Sequence, residues 1–222
     1  MFAAERPAAI TALLLAGGRG ARMGGVDKGL QPFHGAPLAW HALQRLARQT
    51  LAPAEVLINA NRHLGDYRAF GVPVLPDGLP GFAGPLAGFL TGLEHCRTPL
   101  LLTLPCDVPL FPLSLCERMA RALSAAHADI AMAAAPERTG RLRAQPVFCL
   151  LRAHVGLKQS LAAFMAEGGR KIDAWTARHP LTIVPFNQPG DDPLAFTNAN
   201  TPNELRALEQ AMPDTQSSTP NA

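Results

Sequence analysis

Short apolar runs alternate with amphipathic stretches along most of the chain. Residues 10–15 form an apolar run stopped by a glycine pair, which predicts a buried strand. Residues 37–50 follow helical spacing, with Pro37 suited to the first turn. Residues 55–59 predict a second strand, ending in Asn59-Ala60-Asn61-Arg62-His63, and residues 72–75 a shorter third one that runs into Pro76-Asp77. Residues 78–88 hold four glycines and two prolines, a loop that leads into a helix over 86–96 with Pro85 at its start. The nearly all-apolar stretch 99–104 reads as a central strand buried on both faces. It ends in Pro105-Cys106-Asp107-Val108-Pro109. A helix over 112–126 carries Leu115, Met119 and Leu123 on one face, and 129–134 is another apolar strand.

The rhythm then changes. A polar stretch, 137–143, precedes a strand over 144–150. Residues 154–165 are helical, Gly168-Gly169-Arg170-Lys171 opens a short helix to about residue 178, and 181–185 is a strand. Residues 196–200 form a short extended piece, and Thr201 or Pro202 starts the last helix. Strands alternating with helices argue a three-layer α/β/α fold with a mostly parallel sheet. No interdomain linker is visible, so one domain over 1–212 is expected, with a disordered tail over 213–222.

Composition narrows the function classes. Apolar residues make up 48% of the 222 positions and charged residues 17%, enough for a sizeable core. The net charge of +3 suits a binder of small anions, but no dense basic run or basic–aromatic interleaving points to nucleic acid. The four cysteines, at 96, 106, 116 and 149, match no zinc spacing and read as reduced and mostly buried. The N-terminus imitates a signal peptide. Cleavage near Ala16, however, would destroy the glycine-rich loop that follows, so a soluble cytoplasmic protein without membrane segments is expected.

That loop is the strongest chemical signal. Gly17-Gly18-Arg19-Gly20-Ala21-Arg22-Met23-Gly24-Gly25-Val26-Asp27-Lys28 follows directly on the first strand. Successive backbone N–H groups in such a loop form an anion-binding concavity, and Arg19, Arg22 and Lys28 add charge beside it. A polyphosphate is the natural guest. Met23 breaks the dinucleotide-binding glycine pattern, and Lys28 between Asp27 and Gly29 does not fit the Walker A loop.

Other candidates follow strand ends, where open α/β sheets place their ligands. Asp107 either binds Mg²⁺, which takes one or two carboxylates plus substrate phosphates, or caps a helix. Lys28 either neutralises phosphate charge or is solvated. Arg19 and Arg22 suit a phosphate clamp, a structural salt bridge being the other reading of Arg22. Asn59 and Asp77 suit a base edge or a ribose, or else turns. Asn198 and Asn200 either line a substrate or cap the last helix. Arg138, Arg141 and Arg143 either meet a substrate phosphate or form a solvated loop. The seven histidines show no metal-ligand spacing.

Leu-Ala-Gly-Gly-Arg-Gly-Ala-Arg-Met-Gly-Gly-Val-Asp-Lys-Gly, together with Pro-Cys-Asp at 105–107, resembles the signature of the molybdenum cofactor guanylyltransferases. The resemblance spans about residues 11–208. It implies a Rossmann-like nucleotidyltransferase fold of the glycosyltransferase-A type. It also implies transfer of GMP from GTP to molybdenum-bound molybdopterin, with release of pyrophosphate. On that reading Asp107 is the Mg²⁺ ligand, Lys28 and Arg19 act on the phosphates, and Asn59 and Asp77 bind guanosine. Leu15, Ala16, Gly17 and Gly18 supply backbone groups to the nucleotide. Asn198 and Asn200 resemble a segment that lines the pterin side or supports the metal site, Arg170 and Lys171 one near the pterin pocket, while Gln145 departs from a position where relatives carry His. The alternatives are a cytidylyltransferase using CTP, a non-catalytic cofactor carrier, or a sugar-phosphate nucleotidyltransferase. Expected partners are GTP and molybdopterin, with transient contacts to cofactor-synthesis proteins and molybdoenzyme chaperones, around a monomer.

Overall fold

A computed structural model of the protein describes residues 8–16, 27–78, 84–137, 139–199 and 201–211. In chain order the elements are β1 (Ile10–Leu15), a 3₁₀ turn (Lys28–Leu30), β2 (Pro32–Phe33), β3 (Ala36–Pro37), α1 (Leu38–Ala47), β4 (Glu55–Asn59), α2 (Leu64–Arg68) and β5 (Val74–Leu75). There follow α3 (Pro85–His95), β6 (Leu100–Pro105), α4 (Leu115–Ala125), β7 (Ile130–Pro136), β8 (Leu142–Arg152), α5 (Val155–Ala166), α6 (Ile172–Thr176), β9 (Leu181–Pro185) and α7 (Pro202–Ala211).

Seven strands form one sheet in the order β5-β4-β1-β6-β8-β7-β9. All run parallel except β8, which lies antiparallel between β6 and β7. The period-2 alternation of β1 divides the core. Ile10, Ala12 and Leu14 join α1 and α4 on one face, while Leu13 joins α3, α5 and α6 on the other. A central strand covered on both faces is nearly all apolar, which is why β1 and β6 read as near-continuous runs broken only by Thr11 and Thr103. Thr11 is tolerated there because its hydroxyl lies 2.9 Å from that of Thr98 and donates to Glu55 at 3.2 Å.

The connections decide where a ligand can sit. From β1 the chain crosses through α1 to β4 on one side, whereas α3 returns it to β6 on the other side of β1, with α1 and α3 on opposite faces. The strand order thus reverses between β1 and β6, and open α/β sheets place their ligand crevice beyond the carboxyl ends at such a reversal.

Several elements depart from the pattern-based reading. Pro37 precedes α1 as its cap instead of joining the first turn. Helix α4 starts at Leu115, not 112, because the Pro112 carbonyl is engaged by Leu115 N in a turn and by Gln49 Nε2 at 2.9 Å. Residues 196–199 form no strand. Thr197 N closes a turn onto Leu194 O, and Ala199 N bonds to Asp107 O. The β2–β3 hairpin was not legible: its two central residues, His34 (φ 44°) and Gly35 (φ 79°), make the favoured left-handed turn, but prolines at both flanks mask the strands. Phe33, Leu38, Leu110, Ala199 and Leu208 form a small core that ties this hairpin to α7. The tail after residue 211 lies outside the described residues, and no described helix is long and apolar enough to cross a membrane.

Candidate active site

Gly17, Gly18, Arg19 and Arg22 lie outside the described residues, but both ends of the glycine loop are defined. At its start, Leu15 O accepts from Cys106 N at 3.1 Å and Ala16 N donates to Asn59 O at 2.8 Å. The carboxyl ends of β1, β4 and β6 are therefore laced together by backbone bonds. At its end, Asp27 caps the 3₁₀ turn, its carboxylate accepting from Gly29 N at 3.1 Å. That turn carries Lys28 into the crevice, where Nζ stands 3.0 Å from Asp107 Oδ2. Both side chains remain partly accessible, 29% for Lys28 and 15% for Asp107.

Behind this pair sits a buried polar knot. Tyr67 of α2 is fully buried and donates its hydroxyl to Asp27 Oδ1 at 2.5 Å. Burial pushes the Tyr67 phenol far above its usual range, aided by Cys106 and Asp27, so it stays a donor. Gly29 is required here: a β-carbon on it would stand 2.3 Å from Tyr67 Oη and 3.2 Å from Cys106 Sγ. The knot links the residue before Lys28 to the residue before Asp107. Neither Asp27 nor Tyr67 was singled out from sequence, since a tyrosine in a five-residue helix carries no periodic signal.

The second cluster lies at the ends of β4 and β5. Asn59, only 3% exposed, donates to Leu75 O at 3.2 Å and to Asp77 Oδ1 at 2.8 Å. Asn61 donates to Asp77 Oδ2 at 2.7 Å and accepts from Asp77 N at 2.8 Å. Asn59 and Asp77 thus meet directly, joined by Asn61, which sequence reading passed over. Gly88 lets α3 cover Asn59, since a β-carbon there would stand 2.5 Å from Leu15 Cδ2 and 2.6 Å from Asn59 Oδ1.

The remaining candidates fall into two groups. Asn198 is exposed next to Ala199, whose N–H donates to the Asp107 backbone carbonyl at 2.8 Å, which holds this segment beside the end of β6. Asn200 and Arg138 lie outside the described residues. Arg141 is exposed in the β7–β8 turn, whereas Arg143 belongs to β8, paired with Ala135, because that strand starts at Leu142 and not at 144; its exposed side chain lies 3.3 Å from Glu137. Gln145 is half-buried on β8. Arg170 donates to the carbonyls of Met165 and Gly169, capping α5, and Lys171 precedes α6 as its cap. All four cysteines are free; burial pushes the Cys116 thiol up to about 12 and holds Cys106 and Cys149 high as well.

Among the described residues no three His, Cys, Asp or Glu side chains converge as a metal cage. The donor set at Asp107 is a single carboxylate beside the Lys28 ammonium. This fits Mg²⁺, which keeps several waters and shares its coordination with substrate phosphates.

Residues 12–198 match the family model of the MobA-like NTP transferase domain. A molybdenum cofactor guanylyltransferase of Acidovorax sp. (strain JS42) is 63% identical over 205 residues, covering 90% of this chain and 95% of that protein. Its counterpart in Bordetella petrii is 57% identical over 199 residues, covering 90% of this chain and 96% of that protein. Among solved structures, the molybdopterin-guanine dinucleotide biosynthesis protein A of Archaeoglobus fulgidus superimposes with a TM-score of 0.72 at 18% identity, over 90% of this chain and 97% of that one. The 2-C-methyl-D-erythritol 4-phosphate cytidylyltransferase of Thermus thermophilus gives 0.66 at 18% identity, over 90% of this chain and 96% of that one. At such identity these two likenesses concern the fold.

Proposed function

The chain belongs to the molybdenum cofactor guanylyltransferase family, and we propose that it transfers GMP from GTP to the terminal phosphate of molybdenum-bound molybdopterin. A pterin phosphate oxygen attacks the α-phosphorus of GTP, and the bond from that phosphorus to the bridging oxygen breaks. Pyrophosphate leaves. The phosphate is already a competent nucleophile, so the reaction calls for positioning and charge neutralisation instead of a base-activated hydroxyl.

The observation that carries this reading is the Lys28–Asp107 pair at the strand-order reversal, 3.0 Å apart and partly accessible. Lys28 exchanges its carboxylate partner for the triphosphate and balances charge on the departing pyrophosphate. Arg19 and the backbone N–H groups of Gly17 and Gly18 serve the same anion, with Leu15 and Ala16 leading the chain to it. Asp107 would hold Mg²⁺, which when bound supplies further neutralisation at the α-phosphate. Asp77, with Asn59 behind it, reads the guanine edge, because a carboxylate accepts from adjacent ring N–H and amino donors.

The test is pyrophosphate release with Mg²⁺ and molybdenum-bound molybdopterin, offering GTP and CTP separately. Release with GTP alone is expected. Release with CTP alone overturns the base assignment, and silence with both, in folded protein that binds nucleotide, overturns the transferase reading in favour of a carrier.

A further inference from the structure

We infer that Asn61 is a specificity-determining positioning residue, which together with Asn59 clamps the Asp77 carboxylate in the orientation that accepts from guanine. This rests on the proposed reading of Asp77 as the base contact.

Asp77 is held from three directions. Asn59 Nδ2 donates to Oδ1 at 2.8 Å, Asn61 Nδ2 donates to Oδ2 at 2.7 Å, and Asn61 Oδ1 accepts the Asp77 backbone N–H at 2.8 Å. The last two bonds close a ring between one amide and one residue's backbone and carboxylate. An aspartate's terminal torsion is otherwise soft, with no sharp staggered wells. The ring and the second amide together fix both the side-chain direction and the plane of the carboxylate.

An ionised carboxylate has about four lone-pair sites. One on each oxygen is taken by an asparagine, which leaves acceptor capacity on each of the two neighbouring oxygens. Two adjacent acceptors complement two adjacent donors, the N1–H and 2-amino group of guanine. Cytosine presents acceptors at N3 and O2, and adenine an acceptor at N1 with no amino group at C2, so both place lone pairs against the carboxylate. The amide hydrogens of Asn59 are directed to Leu75 O and Asp77. The clamp therefore makes Asp77 the reading group and the two asparagines its frame. A site built to bond a substrate donor discriminates against an analogue lacking it only while its acceptors are held in place.

The experiment compares kcat/KM for GTP and inosine triphosphate, which keeps N1–H but lacks the 2-amino group, in the full chain with Mg²⁺ and molybdenum-bound molybdopterin. Wild type is expected to prefer GTP by at least about tenfold. Asn61→Ala should cut that preference by about fivefold or more, leaving kcat at saturating GTP within about twofold. Asn61→Asp keeps the shape but sets a second carboxylate against the first, and should cut the preference at least as far. It decides the matter if the alanine variant fails to fold. Asp77→Ala is the control. If wild type shows no preference, or Asp77→Ala retains it, the base reading itself fails and the clamp with it. If Asp77→Ala abolishes the preference while both Asn61 variants keep the wild-type ratio, the clamp alone is overturned.

Discussion

Lys28 Nζ stands 3.0 Å from Asp107 Oδ2 although the two residues are 79 positions apart, one after β1 and the other after β6. Adjacent parallel strands on either side of an order reversal deliver their following residues to one crevice, so the contact follows from topology. Asp107→Ala should lower GMP transfer about a thousandfold, the scale of losing a principal charge-stabilising group. A partly exposed ion pair stabilises little, so the melting temperature should hardly move. Near-wild-type turnover in the folded variant would remove Asp107 from the reaction.

Tyr67→Phe deletes one hydroxyl and leaves the buried Asp27 carboxylate without its 2.5 Å donor. Asp27 Oδ1 keeps the Gly29 N–H at 3.1 Å, so the loss is one hydrogen bond to a charged group, worth about 1.5–3 kcal/mol. For a chain of this size that lowers the melting temperature by about 2–4 °C per kcal/mol. Because Asp27 caps the turn bearing Lys28, turnover should fall as well. An unchanged melt would mean that the knot contributes nothing to stability.

Gly88→Ala reverses the usual helix rule. Alanine in a helix interior normally gains about 1 kcal/mol over glycine. Here the added methyl would stand 2.5 Å from Leu15 Cδ2 and 2.6 Å from Asn59 Oδ1. Overpacking of this kind costs about 1–3 kcal/mol, and the displaced Asn59 should raise the KM for GTP. A stabilised variant with normal KM would contradict the close packing of α3 over the base cluster.

Asp77→Ala should raise the KM for GTP more than it weakens molybdopterin binding, because Asp77 sits with Asn59 and Asn61 at the β4–β5 end of the sheet. Titrating each substrate separately checks this, and equal effects on both would take Asp77 out of the base pocket.

How much of this was legible follows from what sets each feature. Nearly all-apolar runs marked β1 and β6 because both strands are buried on two faces, and the chemistry after each strand marked Lys28 and Asp107. The His34-Gly35 turn escaped notice because its flanking prolines argue against strands, and α2, five residues long, is too short to show a period. Asn61 escaped because its role depends on β4 and β5 ending side by side, a register that no local pattern encodes. The resemblance sets Arg170 near the pterin side; its guanidinium donates to Met165 O in the last turn of α5 and to Gly169 O, bonds decided by where that helix ends and not by any local pattern.

Acid should destabilise the protein in part through His41. Its Nε2 lies 2.6 Å from the Phe33 carbonyl, and its ring meets Phe33 edge-on at 5.1 Å. Burial holds its pKa below the usual 6.5; the Phe33 carbonyl and Glu209 pull it up, and His34 pushes it down further. The unfolded chain therefore takes up a proton near 6.5 while the folded chain still resists. Stability is complete above that pH and is lost as pH falls from there through the folded pKa. His179, also shifted down by burial, contributes with the same sign. His41→Gln keeps an amide donor for the Phe33 carbonyl but cannot titrate in this range. Melting temperatures at about pH 7.5 and 5.5 should differ more for wild type than for the variant, while His179 keeps some dependence in both. Equal drops in the two proteins would show that His41 does not contribute to the acid sensitivity of the hairpin.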